Sequence, residues 1–540
     1  MHHSKTMCHA ICVCLMIWIP NNEGFSQLTE DSIALKYKYI GQAAKLRKSE
    51  KYHESIEQLD SALLIFRNDP SLLLFKGDLL LELKDYASAV KTLKGILPTN
   101  YEKTITRINL SYALFMNHKP ALALKFAHEA WQEDKVNVNA MVNYFNAMLW
   151  NIKTKDAARF LSAQDTALDH ARKLVLHARL HMTNGHFIKG LKYYDSLINV
   201  HPDKNYIREY AEVLLNKNEV KKSDRIMTDA RSKFSEQEFK SFKEKMNVAN
   251  QHHLGIEYVY FNDIANNIRT EYNVSWRQGG IQKYRLQLKG SHVNYRSQQE
   301  KGSSATGLGL HIDAKFSKTL SGETQIRFQE VSVQNGPGFS ALTGQQIIRY
   351  TPNDRRMFAL SYSRDILNYT SGLMGKNIQS SYFGYITHIV PDGKTGFYSQ
   401  GSLGSLTDQN KRYQFFGSLY RILKNVPTIK SGINFSALHF SDSLNKMYFS
   451  PDRYLNTEFF LDFASPLPAT SKTYLQIQAA SGIQKINQMR WERSARIQAE
   501  VGVRSRRLET GLRYQYSNVA SNSGSGYSYH WTTIYLMCKW

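Results

Sequence analysis

Apolar positions follow two different rhythms along the chain. Between about Tyr37 and Met246 they recur at helical spacing with few glycines or prolines, which predicts a run of amphipathic helices. After Asn250 the period falls to two. In the stretch from Ile268 to Trp276, residues Ile268, Thr270, Tyr272, Val274 and Trp276 share one face, and Arg269, Glu271, Asn273 and Ser275 share the other. Residues 308–316 repeat the pattern, with Leu308, Leu310, Ile312, Ala314 and Phe316 opposed to Gly309, His311, Asp313 and Lys315. Further copies occur at 284–288, 324–328, 455–463, 495–503 and 512–516, separated by turn-like groups such as Gly279-Gly280, Pro352-Asn353-Asp354 and Pro391-Asp392-Gly393. The second half therefore reads as a dense array of antiparallel strands.

The helical half also repeats. Tyr52, Tyr86, Pro120 and Thr154 stand 34 residues apart. Small or apolar residues follow at constant offsets: Ser55, Ile56, Leu59, Ala62 and Leu63, then Ala89, Val90, Leu93, Ile96 and Leu97, then Ala123, Leu124, Ala127, Ala130 and Trp131. The fourth copy is degenerate, and two more fit with small shifts around Phe187 and Val220. This pattern resembles the tetratricopeptide repeat, in which Gly77 matches the small-residue position of the first helix. The resemblance implies about six helix pairs stacked into a solenoid whose concave face binds peptides or partner proteins. An irregular helical domain is the alternative.

Residues 1–26 read as a secretory leader: Lys5 in a polar start, an apolar run from Ala10 to Ile19, and a polar tail to Ser26. The run is too short for a bilayer-spanning helix, and no later stretch is long enough. Cys8, Cys12 and Cys14 fall inside the leader, so Cys538 alone would remain, without an internal disulfide or a cysteine zinc site. The residues before Cys12 and Cys14 are not those of a lipoprotein signal.

An exported chain with many alternating strands fits a closed antiparallel outer-membrane β-barrel of about 16 strands. A soluble sandwich is the alternative. The last strand places Ile534, Leu536, Cys538 and Trp540 on one face and ends on an aromatic residue, as many bacterial outer-membrane barrels do. Most of the 32 tyrosines lie after residue 250, as interfacial girdles require. The expected organisation is a leader at 1–26, a periplasmic helical solenoid at 30–248 and an outer-membrane barrel at 250–540. The polar strand faces would line a lumen, with Arg269, Glu271, Arg285, Lys289, Arg327, Glu458, Asp462, Arg496, Glu500 and Arg513 as candidates for contact with a solute. The net charge is +23, and most of the excess falls in the barrel half. A basic lumen and a basic rim facing acidic lipid account for it equally well, and either favours anionic or neutral polar solutes.

A leader, helical repeats and a barrel of this size together resemble the outer-membrane porins of exopolysaccharide export, of the cellulose and poly-N-acetylglucosamine types, and also the YaiO-like outer-membrane barrel family. The segment Tyr448-Phe449-Ser450-Pro451 is similar to the Tyr-aromatic-Ser-Pro segment at a strand start in those export barrels. The resemblance implies passive conduction of a polysaccharide, with the repeats docking periplasmic proteins or guiding the polymer. The alternatives are a periplasmic scaffold anchored by a plugged barrel, and a lipid hydrolase built on His439 and Ser441, whose spacing places both on one strand face. No enzymatic activity and no cofactor are expected, and the absence of a phosphate-binding loop implies no nucleotide site, so that any driving force comes from elsewhere. His2-His3, His252-His253 and His311 show no metal-ligand spacing with carboxylates. Nucleic acid is not an expected partner, because no recognition motif accompanies the basic charge.

Overall fold

The computed structural model describes residues 30–280, 283–297, 302–368, 370–425, 427–443, 448–465, 472–520 and 528–540. The leader, with its three cysteines and His2-His3, lies outside the described residues. Among these, helices run from α1 (Glu30–Lys48) to α13 (Glu236–Ala249), and strands begin at His253.

The first helices pair as the 34-residue interval predicts. Asp69 caps α3 (Pro70–Leu83) by accepting from the Ser71 and Leu72 amides, and Pro70 occupies the first turn, where no amide donor is needed. Asp85 caps α4 (Tyr86–Ile96) in the same way through the Ser88 amide. The constant-offset residues are the ones enclosed: Ala89, Leu93, Ala123, Ala127 and Ala130 are fully buried. Ala89, Leu93 and Ala123 share one core with Leu80 and Leu81 of α3, Val90 and Ile96 of α4, and Leu110, Ala113 and Leu114 of α5 (Lys103–Met116), while Ala130 packs in a second with Ile108 and Ala140. Gly77 is small because Leu93 sits against it: a Cβ there would lie 2.6 Å from Leu93 Cδ2. Six successive pairs end with α11 (Lys204–Asn216) and α12 (Val220–Asp229), and α13 follows alone.

Contacts divide the chain into two compact units, residues 1–213 and 214–540, so α12 and α13 group with the strands. Ion pairs join helix and strand residues within the second unit. Glu219 meets Lys315 at 2.8 Å, Glu244 meets Arg506 at 3.7 Å, and Lys217 pairs with Asp354.

The strands form a closed barrel of 16, each antiparallel to its neighbours, from β1 (His253–Asp263) to β16 (Tyr529–Lys539), which pair with each other to complete the ring. Register fixes which side chains face out. Ile256, Val274, Leu308, Leu360, Phe383 and Ile534 are all exposed on the outside, with Leu360 at 70% and Phe383 at 68%. The residues alternating with them point inward. This is the reverse of a soluble sandwich, where the apolar face would be enclosed between sheets.

The two ends of the barrel differ. Where β1 starts, neighbouring strands join through short turns, as between β6 (Phe339–Asn353) and β7 (Arg356–Ile366). At the opposite end three connections, 367–378, 441–453 and 518–528, are longer, and the first, leading from β7 to β8 (Gln379–Ile389), carries a further short helix, α14 (Ser371–Gly375). Short turns at one end and longer loops at the other are the arrangement of outer-membrane barrels.

Candidate conducting lumen

Strand alternation carries charged residues onto the inner wall, where they meet partners from neighbouring strands. On β2 (Ile268–Arg277), Arg269 meets Glu271 at 2.5 Å, and Lys289 of β3 (Tyr284–Arg296) reaches the same carboxylate at 3.7 Å. Lys430 of β11 (Thr428–Phe440) meets Asp462 of β12 (Tyr454–Ala464) at 2.7 Å. Arg496 of β14 (Glu492–Arg504) meets Glu458 at 3.2 Å, and Arg513 of β15 (Leu508–Ser517) donates to Glu500 at 2.7 Å. In register, Arg285 stands beside Asp313 of β4 (Ser303–Lys315), and Arg327 of β5 (Leu320–Val333) lies within electrostatic reach of Asp365. All ten lumen candidates thus lie on the wall opposite the apolar outside, and each basic one has an acidic neighbour.

Most of the wall's cations are thus partnered, although Glu271 serves two of them and Arg412 is held by Tyr382 and Gln414. Much of the surplus positive charge sits at the short-turn end, on residues such as Lys283, Lys318, Arg356, Lys394 and Arg507. Of the two sequence readings of the charge, the structure favours the rim. The physical reason is desolvation: a charge on an enclosed wall needs a partner, while a charge at a wet rim does not.

An apolar outside, a charged inside and hydrogen-bonded closure satisfy what lipid demands of a strand protein. The chain is a helical-repeat protein with an outer-membrane barrel. No helix among the described residues is long and apolar enough to cross a membrane, and the strands do the crossing.

Aromatic rings share the inner wall. Tyr420 of β10 (Lys411–Asn425) lies flat over Gly396 of β9 (Thr395–Leu406): a Cβ at that glycine would fall on the ring. Tyr474 of β13 (Thr473–Ile486) covers Gly502, Tyr535 covers Gly511, and Tyr382 covers Gly404 in the same manner. Cations approach several of these rings, with Lys430 Nζ 4.8 Å from the centroid of Tyr420 and Arg504 5.2 Å from that of Tyr474. The sequence signal for this arrangement, glycine within alternating strands that also carry tyrosine, was present but depends on register to become meaningful.

The long-loop end is partly filled. Met374 of α14 packs with Val293, Ala305, Val331 and Ala341, which are inward-facing wall residues, so α14 sits inside the mouth. Ser371 fixes it through its hydroxyl and carbonyl to the Ser303 hydroxyl, at 3.1 and 3.3 Å. Leu367, Leu373 and Ile378 from the same connection cluster with Leu406, Leu438, Tyr448, Val519 and Ala520, contributed by several other strands and loops. Below them, a recess of 320 Å³ is lined by groups including Gln287, Lys289, Gln325, Arg327, Ser363 and Tyr382.

The Tyr448 segment belongs to this cap. Tyr448 donates to Asp408 at 2.8 Å and accepts from Asn410 at 2.9 Å, while Phe449 meets the Tyr454 ring edge-on. Burial and the Asp408 carboxylate both push the Tyr448 phenol above its ordinary value. Ser450 and Pro451 are buried, and the Pro451 carbonyl accepts from the Phe440 amide. The segment leads into β12 and ties its loop to the wall.

His439 and Ser441 have separate partners. His439 faces outward, bonded to the Asp452 carbonyl and 5.6 Å from the Tyr413 ring. The Ser441 hydroxyl donates to Asn410 at 3.1 Å and accepts from the Lys411 amide at 2.9 Å. No hydrogen bond joins the two among the described residues. His252 and His253 lie at the seam, the first stacked between Trp276 and Trp540, the second hydrogen-bonded to Arg277 at 3.0 Å.

His311 departs from its expected isolation. Asp313, two residues on, and Glu323 of the next strand bring carboxylate oxygens within 3.2 and 3.6 Å of its Nε2. The three donor atoms lie within 4.8 Å of one another. Reading along one strand misses Glu323, which only the β4–β5 register supplies. Glu323 also accepts from Arg349 and from Gln325 Nε2 at 2.7 Å, so the trio forms part of a wider polar network.

No protein-family model matches the chain, and no curated protein does. Among solved structures, a bacterial polysaccharide outer membrane secretin is similar with a TM-score of 0.44 and 8% identity over 54% of this chain and 98% of its own. A tetratricopeptide repeat protein from Parabacteroides merdae is similar with a TM-score of 0.35 and 13% identity over 39% and 84% of the two chains. CdiB from Acinetobacter baumannii gives 0.34 and 8%, over 53% and 60%.

Proposed function

We propose that the protein is a passive outer-membrane conduit for an exported polysaccharide, with its helical repeats in the periplasm docking partner proteins or guiding the polymer. The observation that carries this reading is the inner wall itself, in which partnered charges, glutamines and partly buried tyrosines such as Tyr382, Tyr398 and Tyr420 surround the bore. Such a wall offers many weak hydrogen bonds to a hydroxyl-rich chain and no single deep trap, which suits sliding. Driving force must be supplied by other components, and the chain itself performs no chemistry in this scheme. Replacing Ser441 by Ala is therefore expected to leave any lipid hydrolysis unchanged.

A second reading is favoured by α14 and the cluster around it: a barrel closed by its own loops, serving as the anchor of a periplasmic scaffold. Single-channel recording on the purified full chain separates the two. A conduit gives sustained conductance that rises when residues 367–378 are replaced by a short Gly-Ser linker, and loss of secreted polysaccharide in a deletion strain accompanies it. A barrel that stays silent after loop replacement, in a strain that still secretes polymer, is a scaffold.

A further inference from the structure

The outer wall at the long-loop end carries cations of a different kind from those of the bore. Lys485 stands at the top of β13 on the lipid side, two residues beyond the exposed Ile483. In register Leu455 of β12 faces Lys485, and Ile483 faces Arg493 of β14. Arg453, two residues before Leu455, is held in the same extended line by Asn487, whose side-chain oxygen accepts from its amide at 3.0 Å and whose amide donates to its carbonyl at 2.6 Å. Arg453 and Arg493 therefore flank Lys485 diagonally on one face, about 7–8 Å away and within reach of long side chains. Arg490, in the turn from β13 to β14, adds a fourth cation. Among the described residues none of these four side chains forms an ion pair or a hydrogen bond. Lys485 Nζ instead stands 5.9 Å from the centroid of the exposed Trp491 ring.

Acids in the neighbouring sequence do not serve them. Glu492 alternates with Arg493 and so faces the bore, and Asp452 lies 3.6 Å from His439 Nδ1. Arg364, on the same face and rim at β7, is satisfied within the protein, with Gln379 Oε1 accepting from its Nε and Nη2 at 3.0 and 2.6 Å. Three unpaired cations on three adjacent strands repel one another, which water and salt make tolerable on any wet rim. This group, however, sits on the lipid boundary. Trp491 marks the level of an interfacial girdle, and below it lie the exposed Ile483, Ile497 and Phe459. A partner that covers the cations also touches the oily wall, so it carries an anion and apolar chains together. Arginine forks match phosphate oxygens in shape as well as in charge.

We propose that Arg453, Lys485 and Arg493, with Arg490 above them, form a binding site for the phosphate of an acylated lipid in the outer leaflet, whose chains lie along Ile483, Ile497 and Phe459. The site is at the opposite end of the barrel from the basic short-turn rim. It stands whether or not the barrel conducts, because it needs only the lipid-facing outer wall. Charge selects the head, since each cation lacks a counter-ion from the protein, and the apolar strip below selects a lipid over a free anion.

The test is native mass spectrometry of the detergent-purified full chain titrated with diphosphoryl lipid A, with the same lipid stripped of its phosphates, and with diphosphoryl lipid A in the presence of excess inorganic phosphate. Diphosphoryl lipid A is expected to bind saturably, about tenfold or more tighter than the stripped lipid, and to weaken about tenfold or more in the triple variant Arg453→Gln, Lys485→Gln, Arg493→Gln. Arg421→Gln removes an outward cation at the short-turn end of β10 and should leave the affinity within about twofold. The single variant Lys485→Gln serves should the triple one fail to assemble, and retained heat-modifiable mobility on gels identifies an assembled barrel. Equal binding by parent and assembled variant, an equal loss in Arg421→Gln, or equal binding of the stripped lipid overturns the site. Displacement of the lipid by inorganic phosphate overturns it too, since that result describes a site for a free anion.

Discussion

Helical repeats and barrel enclose opposite kinds of residue. In the repeats the fully buried positions are leucines and alanines such as Leu59, Leu93 and Ala127. In the barrel, Glu458, Asn456, Ser494 and Ser517 are enclosed, while Leu360 and Phe383 stand in the open. The same partition rule operates in both: apolar area leaves water. In the repeats it goes to a neighbouring helix, in the barrel to lipid, and the enclosed polar residues then need one another.

The contrast can be broken by placing the same kind of lesion on each side of it. The largest effect is expected for Leu93→Ala, which opens a cavity in the repeat core beside Gly77 and costs about 2–5 kcal/mol. Circular dichroism should show the helical melting step shifted down with the strand signal unmoved, and a shift common to both would show the two regions melting as one. Next comes Leu360→Arg on the lipid face, expected to cost roughly 2–4 kcal/mol near the middle of a strand, against a much smaller cost for Arg at the adjacent inward Ser361. Urea titration followed by heat-modifiable gel mobility reads both, and equal costs would mean that the outer face is not in lipid.

The smallest expected effect concerns a buried acid among the helices. Burial raises the Asp78 carboxyl to about 7 from 3.8, with nearby Arg47 working against the rise. Its oxygen accepts from Asn109 Nδ2 at 2.6 Å. Between those two values the folded state holds the proton more tightly than the unfolded chain does. Its contribution is therefore present in full below about pH 4 and is lost as pH climbs through 7, by about 1–3 kcal/mol. Helical melting temperature should fall from pH 5 to pH 8, and Asp78→Asn should flatten that fall.

Much of the architecture was legible because each half obeys a single local period. The 34-residue interval from Tyr52 to Thr154 located the buried small residues, and the alternation from Ile268 to Trp276 assigned each residue to its observed face. What was not legible depends on pairs brought together by register or by loops. Net charge left the lumen and the rim undecided, because the partners of Arg496 and Lys430 lie on other strands, at Glu458 and Asp462. His311 looked isolated for the same reason, since Glu323 reaches it diagonally from the next strand, opposite Asp313. The hydrophobic connection Leu367 to Ile378 carries no strand period, and nothing in its sequence alone reveals that it folds back into the mouth. His439 and Ser441 share a spacing that suggested a catalytic pair, yet the Asn410 and Lys411 groups hold the serine and Asp452 holds the histidine.

The seam between β1 and β16 joins the two ends of the strand region. Its contacts tie His253 to Met537, 284 positions away, and the His252 and Trp540 backbones exchange hydrogen bonds of 2.8 and 3.1 Å. Until those distant stretches meet, the sheet has two raw borders able to recruit any stray strand, and its oily side has nothing to rest against. Closing the ring therefore depends on contacts of very long sequence separation, whereas the repeats are built from neighbours in sequence.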